Sequence, residues 1–178
     1  VLRDLDLFTS INRKAKALVQ MTLTIADEGL SRKLEPNVCN SRHRYEVLKE
    51  LQRAGIPTVV WMTPILPFLT DTKENVETIV DWCIDAGVKG IICWNMGMTL
   101  REGDREYYYR ALDRYFPGLS LKYREKYGNS YEVVSSRNAE LMTWFHDQCE
   151  KHGILHTPET CFAYMHELPE RYEQMTLF

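Results

Sequence analysis

The amino-acid sequence predicts an α/β fold in which parallel strands alternate with helices. Three apolar, β-branched segments (16–25, 56–64 and 88–95) are separated by two segments with helical periodicity. Each of these helices ends in Ala-Gly directly before the next strand, at Gly55 and Gly87, and glycine suits the turn that ends a helix. A strand–helix–strand–helix–strand order with short connections is typical of right-handed βαβ units and a parallel sheet.

The first elements follow from local patterns. An N-terminal helix is predicted because apolar residues recur at the spacing of one helix face, at Leu5, Phe8 and Ile11. Segment 16–25 (KALVQMTLTI) is predicted to be a strand covered on both faces, because such strands are nearly continuous apolar runs. Residues 26–36 are predicted to form a short helical turn that a proline ends.

The two helices between the strands are predicted at 42–54 and 75–86. The first has a buried stripe of Tyr45, Leu48 and Leu51. After residue 98 the pattern changes, and helices are predicted at 105–116 and 136–152, with a polar, basic segment between them and an irregular tail after them. We therefore expect a partial (β/α) barrel segment in residues 1–100 and a helical C-terminal extension, residues 101–178, packed on it.

Composition narrows the class of protein. The formal net charge of −3 gives no support to non-specific nucleic-acid binding, which is typical of basic domains. No apolar stretch approaches the roughly 20 residues of a membrane span, and the opening VLRDLDLF does not resemble a signal peptide. The chain also lacks a starting Met, so we expect it to begin inside a longer protein.

The five cysteines form an odd set with irregular spacing, and no two of them make a C-x-x-C motif. This pattern favours reduced thiols and a cytoplasmic location over a disulfide framework. It also means that this chain alone does not contain the usual three-cysteine loop of an iron–sulfur cluster.

Three ordered signatures carry a family resemblance. A strand of the form V-x-x-T-x-T leads to a turn that ends R-K-L-E-P at 32–36; R-x-x-x-L-x-x-L-x-x-A-G-I-P spans 44–57; and P-I-L-P-F-L-T-D spans 64–71. This order resembles the second half of radical S-adenosylmethionine (SAM) proteins related to spore photoproduct lyase, often described as DNA-repair photolyase-like. The resemblance covers about residues 1–100 and is loose beyond them.

The resemblance implies a partial barrel whose complete form binds SAM and a [4Fe–4S] cluster, through a CxxxCxxC loop after the first strand. In that family, reductive cleavage of SAM gives a 5′-deoxyadenosyl radical that abstracts hydrogen from the substrate. The cluster loop would precede Val1. We therefore expect the chain to require the missing N-terminal half of the barrel as its partner, to hold neither cofactor by itself, and to be inactive alone.

Candidate cofactor-binding residues lie at the predicted strand ends. Gln20, Thr22 and Thr24 alternate along one strand and so share a face, where the resemblance implies contacts to SAM. Gln20 is expected to be a buried amide. The resemblance also implies carboxylate binding by Arg44, whose guanidinium can form bidentate hydrogen bonds. Further candidates follow the next two strands, where α/β barrels place ligands: Pro64, Ile65, Trp94 and Asn95.

Other interpretations remain open. Zinc has suitable ligand types in Cys149, His152, His156 and Cys161, although their spacing fits no closed motif. Three consecutive tyrosines, 107–109, cannot all face inward on one helix, and with the basic segment after them they make a surface that could contact nucleic acid.

Three functions are compatible with these patterns. The first is the SAM- and substrate-side half of a radical SAM enzyme, with DNA-repair-lyase-like activity as one form. The second is a non-catalytic α/β domain that binds a nucleotide or a partner protein. The third, an aldolase-like barrel, needs a Schiff-base lysine, and the lysines near strands, Lys16 and Lys89, lie at the strand starts. We also expect self-association, because a partial barrel exposes an unpaired strand edge.

Overall fold

A parallel three-stranded sheet forms the centre of the fold in this computed structural model, which describes residues 1–168. The strand order is β1-β2-β3, and the strands are β1 (Val19–Thr22), β2 (Thr58–Trp61) and β3 (Gly90–Ile92). Gln20 pairs with Val59, and Val60 pairs with Ile91. The predicted parallel α/β arrangement is therefore confirmed, and the sheet of the described residues is open rather than closed on itself.

Helices surround this sheet, and several begin with a capping side chain. Asn40 Oδ1 accepts a hydrogen bond from His43 N at 2.8 Å, which satisfies one of the free amide groups at a helix start. Within residues 1–168, no helix is long and apolar enough to cross a membrane. In chain order the elements are a 3-10 turn (Leu2–Asp4), α1 (Leu5–Lys14), α2 (Glu28–Leu34), α3 (Ser41–Arg53), α4 (Lys73–Asp85), α5 (Asp104–Tyr115), α6 (Leu119–Tyr127), α7 (Asn138–Lys151) and α8 (Pro158–His166).

One face of the sheet is fully covered by α3, α4 and α7. Val60 and Ile91 of the strands pack there with Leu48 of α3, Val80 of α4 and Phe145 of α7, and all five side chains are buried. Burying a side chain of this kind stabilises a fold by roughly 1.5–3 kcal/mol. This face therefore supplies the main hydrophobic core.

The opposite face is covered only in part. Val59 and Ile92 are buried there against Cys161 of α8, which packs across this face. Gln20 and Thr22 are exposed on it. The prediction that β1 is covered on both faces is therefore wrong: alternate positions of the strand are polar, and one face of it stays open.

The two edges of the sheet also differ. Beside β3, the backbone of Leu155 completes the edge, because Ile91 N donates to Leu155 O at 2.8 Å and Leu155 N donates to Lys89 O at 3.1 Å. No strand pairs with the outer edge of β1 within residues 1–168. The open edge and the half-open face meet at β1.

The sequence predicts a helical C-terminal extension, but this part of the structure is not purely helical. Two short strands, β4 (Gly97–Thr99) and β5 (Glu132–Val134), form an antiparallel pair. The predicted polar segment after α5 is helix α6, and the predicted irregular tail contains α8, which starts at Pro158 after the cap residue Thr157. Strands of three residues are too short to show alternation, so the sequence pattern does not reveal them. Residues 169–178 of the predicted extension lie outside the described residues.

Gly90 is required where α8 packs closely on β3. A Cβ atom at this position would lie 2.8 Å from Cys161 Sγ and 3.2 Å from Leu155 O. We expect Gly90→Ala to lower the free energy of unfolding by about 2 kcal/mol, as overpacking does. Chemical denaturation of wild type and variant measures this change.

The matched control is the same substitution in a Cys161→Ala background, which removes the sulfur atom but leaves the Leu155 carbonyl. The loss caused by Gly90→Ala should be smaller there, because the two sites are in contact and their effects couple. Equal losses in both backgrounds would contradict this packing.

Candidate functional site

A pocket of about 320 Å³ opens at the carboxyl ends of β1 and β2. Thr22, Thr24 and Pro64 line it, so three of the predicted site residues share one cavity. The Thr63–Pro64 peptide bond is cis. Helices α2 and α5 form the side walls of the pocket. The carboxyl ends of parallel strands are where open α/β sheets bind ligands, and this pocket is therefore the candidate functional site.

Thr24 is the most enclosed polar group of the pocket, with 5% of its surface exposed. Its carbonyl accepts a hydrogen bond from Asn75 Nδ2 at 3.0 Å, and the same Asn75 Nδ2 donates to Thr70 O at 2.8 Å. This amide joins the end of β1 to the loop before α4. Thr24 also lines the cavity itself.

Arg44 supports the end of β1 next to the pocket, and only 12% of its side chain is exposed. Its guanidinium donates from Nε to Cys39 O at 2.7 Å, from Nη1 to Thr22 O at 2.9 Å, and from Nη2 to the Glu35 carboxylate. The carboxylate that Arg44 binds in this structure therefore belongs to the chain itself. Its contacts fix the end of β1 relative to α2.

The half-open face of the sheet presents an aromatic pair beside the pocket. Trp61 and Trp94 have ring centroids 5.5 Å apart, and Trp94 is 51% exposed. Trp61 Nε1 donates to Gln20 Oε1 at 2.8 Å. Gln20 was expected to be buried, and that expectation is wrong, because within residues 1–168 no helix packs over its side chain. Gln20 and Trp94 are thus brought together through Trp61, which the sequence reasoning missed although it alternates with Val59.

The remaining two candidates lie apart from the pocket lining. Ile65 is fully buried in the main core, and its N–H donates to Gly97 O at 3.0 Å. Its side chain is therefore out of reach of a ligand in the pocket. Asn95 is half-buried, and its Oδ1 lies 2.8 Å from the place that a Cβ on Gly97 would occupy. Its amide packs on the backbone of β4.

Aromatic residues of α5 form a wall that sequence reasoning did not assign to the site. Tyr107, Tyr108 and Tyr115 line the pocket together with Phe116. Their spacing places them on one side of the helix, which is the signal that could have identified them. Tyr107 is 71% exposed whereas Tyr109 is buried, which confirms that the three tyrosines cannot all face inward.

Hydrogen-bonded tyrosines support this wall from the inside. Tyr108 Oη donates to Tyr123 Oη at 3.0 Å, and Tyr123 Oη donates to Pro67 O at 2.6 Å. Burial raises the pKa of Tyr108 to about 12 and raises that of Tyr123 as well. Both phenols therefore stay neutral near pH 7 and connect α5 and α6 to the loop after β2.

The proposed zinc ligands do not form a metal centre in the described chain. No group of three or more His, Cys, Asp or Glu side chains within residues 1–168 is arranged to hold a metal ion. Burial raises the pKa of Cys149 to about 12 and that of Cys161 to about 11, which favours thiols over the thiolates that bind metals. His156 Nδ1 instead lies 3.0 Å from Ile154 O.

Comparison with known proteins gives relatives but no activity. No family model matches the chain. It is similar to uncharacterized proteins of Mycobacterium bovis and Mycobacterium tuberculosis, with 29% identity over 125 residues in each case. The matched segment is 70% of this chain and 36% of each relative. The chain thus spans about a third of the length of the curated relatives it matches.

The bracing role of Arg44 predicts that lysine cannot replace it. Lysine carries a compact charge without the planar fork that reaches three acceptors at once. We expect Arg44→Lys to lower the free energy of unfolding by about 1–2 kcal/mol, because hydrogen bonds to a charged group in a half-buried site are lost. Urea denaturation measures the change.

Arg53→Lys is the matched control on the same helix. Arg53 pairs with Glu50 at an exposed surface, so the change should be within about 0.5 kcal/mol. Equal effects of the two substitutions would show that the Arg44 contacts contribute nothing beyond an ordinary surface pair.

Proposed function

We propose that this chain is the SAM- and substrate-side half of a radical SAM barrel, and that its three parallel strands are a partial (β/α) barrel. The observation that carries the proposal is the half-open sheet face at the carboxyl ends of the strands. It presents Gln20, Thr22 and Trp94 directly beside a pocket. In a complete barrel, helices cover the outer face of the sheet and ligands bind at the carboxyl ends of the strands. The sheet of this chain likewise has one face covered by helices and a pocket at the carboxyl ends of its strands.

The residues of this face suit the groups of SAM. Trp94, exposed beside Trp61, offers a ring surface on which adenine would stack. The Gln20 amide and the Thr22 and Thr24 hydroxyls would hydrogen-bond the ribose or the methionine carboxylate. Arg44 would act indirectly, by positioning the end of β1 through Thr22 O.

The residues of this chain do not fit a [4Fe–4S] cluster. Four of the five cysteines are buried, and burial raises the pKa of Cys83 and Cys93 as well as the two cysteines of the helical part. A cluster that reduces SAM when bound would have to be held by another segment. The proposal therefore places the cluster ligands in an N-terminal half that this chain does not contain, and the greater length of the relatives agrees with such a segment.

That N-terminal half would pair with the free edge of β1. The N–H groups of Val19 and Leu23 donate to β2, at Pro57 O and Trp61 O. The N–H and C=O groups of Gln20 therefore point away from β2, toward the open edge. An added strand would satisfy them and would close the half-open face.

A lyase that repairs DNA is one activity of the radical SAM class, and it is the activity that the family resemblance favours.

A non-catalytic α/β domain that binds a nucleotide or a partner protein is the alternative. The lack of cluster ligands in the chain favours this alternative. A pocket and an aromatic pair can bind a nucleotide or a partner protein without an iron–sulfur cluster.

The free edge predicts self-association of the chain when the N-terminal half is missing. Light scattering at high concentration should show a dimer or a higher oligomer. Gln20→Pro should shift it to a monomer, because proline removes the outward N–H without touching the hydrogen bonds to β2. Gln20→Ala, which keeps the N–H but removes the amide, is the control and should remain dimeric; a wild-type monomer contradicts the prediction.

The radical SAM proposal is tested first by sequencing the gene upstream of this segment. The coding DNA before Val1 should contain an in-frame CxxxCxxC motif. The protein encoded by the whole reading frame, reconstituted with iron and sulfide, should release 5′-deoxyadenosine from SAM in the presence of dithionite. Thr22→Val should raise the KM for SAM about tenfold, the effect of one lost hydrogen bond of about 1.4 kcal/mol.

Lys122→Gln, on the exposed side of α6, is the control and should leave this KM unchanged. A reading frame that starts at Val1, or a longer protein that releases no 5′-deoxyadenosine, would falsify the radical SAM proposal and leave the binding-domain alternative.

A further inference from the structure

The pocket between α2 and α5 has the size and the walls of a small-molecule site. Its volume of about 320 Å³ is at the lower end of the range for ligand pockets. Tyr107 and Tyr115 stand at the pocket as exposed aromatic side chains, and Leu112 and Phe116 line it as well. Exposed rings beside an apolar cavity offer a stacking surface for a flat ring.

The charge of the pocket is not balanced within the described chain. Two charged residues line it, Lys33 and Glu35. The Glu35 carboxylate is neutralised by Arg44. Lys33 has no acidic partner among residues 1–168, and its Nζ lies 5.8 Å from the centre of the Phe116 ring. One positive charge therefore remains at the aromatic wall, where an anion would bind favourably.

Hydroxyl groups form the floor of the pocket. Thr24 is nine-tenths buried, lines the cavity and makes its hydrogen bond through its carbonyl. Thr22 lines the pocket beside it, so two hydroxyl-bearing side chains lie where β1 ends. A polar group of a ligand would find hydrogen-bonding partners at this end of the pocket.

We infer that this pocket binds a small molecule with a flat apolar ring and an acidic group. The ring stacks on Tyr107 and Tyr115, and the acidic group pairs with Lys33. Thr22 belongs both to the pocket and to the half-open sheet face, so the two sites adjoin. The role of this molecule as the substrate rests on the function proposed above, whereas its chemical class does not.

Two probes with the same ring and opposite charge test the chemical class directly. The probes are naphthalene-2-sulfonate and the 2-naphthyl-trimethylammonium cation, and calorimetry measures their binding to the full chain. We expect the sulfonate to bind about fivefold more tightly, because it is attracted by Lys33 and the cation is repelled. Neither probe contains an adenosine or sulfonium group, so the result is independent of SAM binding.

Matched variants assign the contacts. Lys33→Gln should abolish the preference between the probes, whereas Lys122→Gln, outside the pocket, should keep it. Tyr107→Ala should weaken the sulfonate about tenfold, and Tyr107→Phe, which keeps the ring, should not. Circular dichroism confirms that each variant is folded.

Equal affinity for both probes, or a preference that persists in Lys33→Gln, would overturn the inference. If the SAM assay fails but the probes are still distinguished, only the radical SAM function is contradicted. If the SAM assay succeeds but the probes bind equally well, only the inferred ligand class is contradicted.

Discussion

The structure depends on the central position of β2, which is enclosed on both edges and both faces. Val59 and Val60 point to opposite faces, and both are fully buried. Its backbone groups pair with β1 on one side and β3 on the other. A strand in this position cannot shift without losing buried hydrogen bonds and apolar contacts together. The loop that starts at Pro64 therefore leaves from a fixed point, and Tyr123 holds its middle through Pro67 O.

The two faces of the sheet divide stability from recognition. The face under α3, α4 and α7 carries the large hydrophobic core. The other face is covered by α8 at one end and presents Trp94 and Gln20 at the other. An exposed tryptophan on a partly covered sheet face suits a surface that another segment or a ligand covers. The open edge of β1 adjoins this face at Gln20, and the proposed N-terminal half would cover both.

Local patterns predicted the alternation of strands and helices, because apolar runs and the Gly55 and Gly87 helix ends are local signals. They also predicted that Thr22, Thr24 and Pro64 meet, because carboxyl ends of parallel strands share one edge. The position of the aromatic wall at the pocket could not be predicted, since it depends on how α5 packs relative to α2, which is distant from it in the sequence. Gln20 failed for a related reason: alternation assigns a face to a residue but does not tell whether that face is covered.

Arg44 links the fold to the chemistry of the pocket. The family resemblance implied a guanidinium that binds a ligand carboxylate, but in the structure the guanidinium donates to Cys39 O, Thr22 O and the Glu35 carboxylate. The internal pair has an electrostatic consequence, because it cancels the acidic charge of Glu35 at the pocket. Of the two charged residues that line the pocket in the described chain, Lys33 is then the one whose charge is not neutralised. The contact that positions the end of β1 thus also determines which sign of ligand the pocket favours.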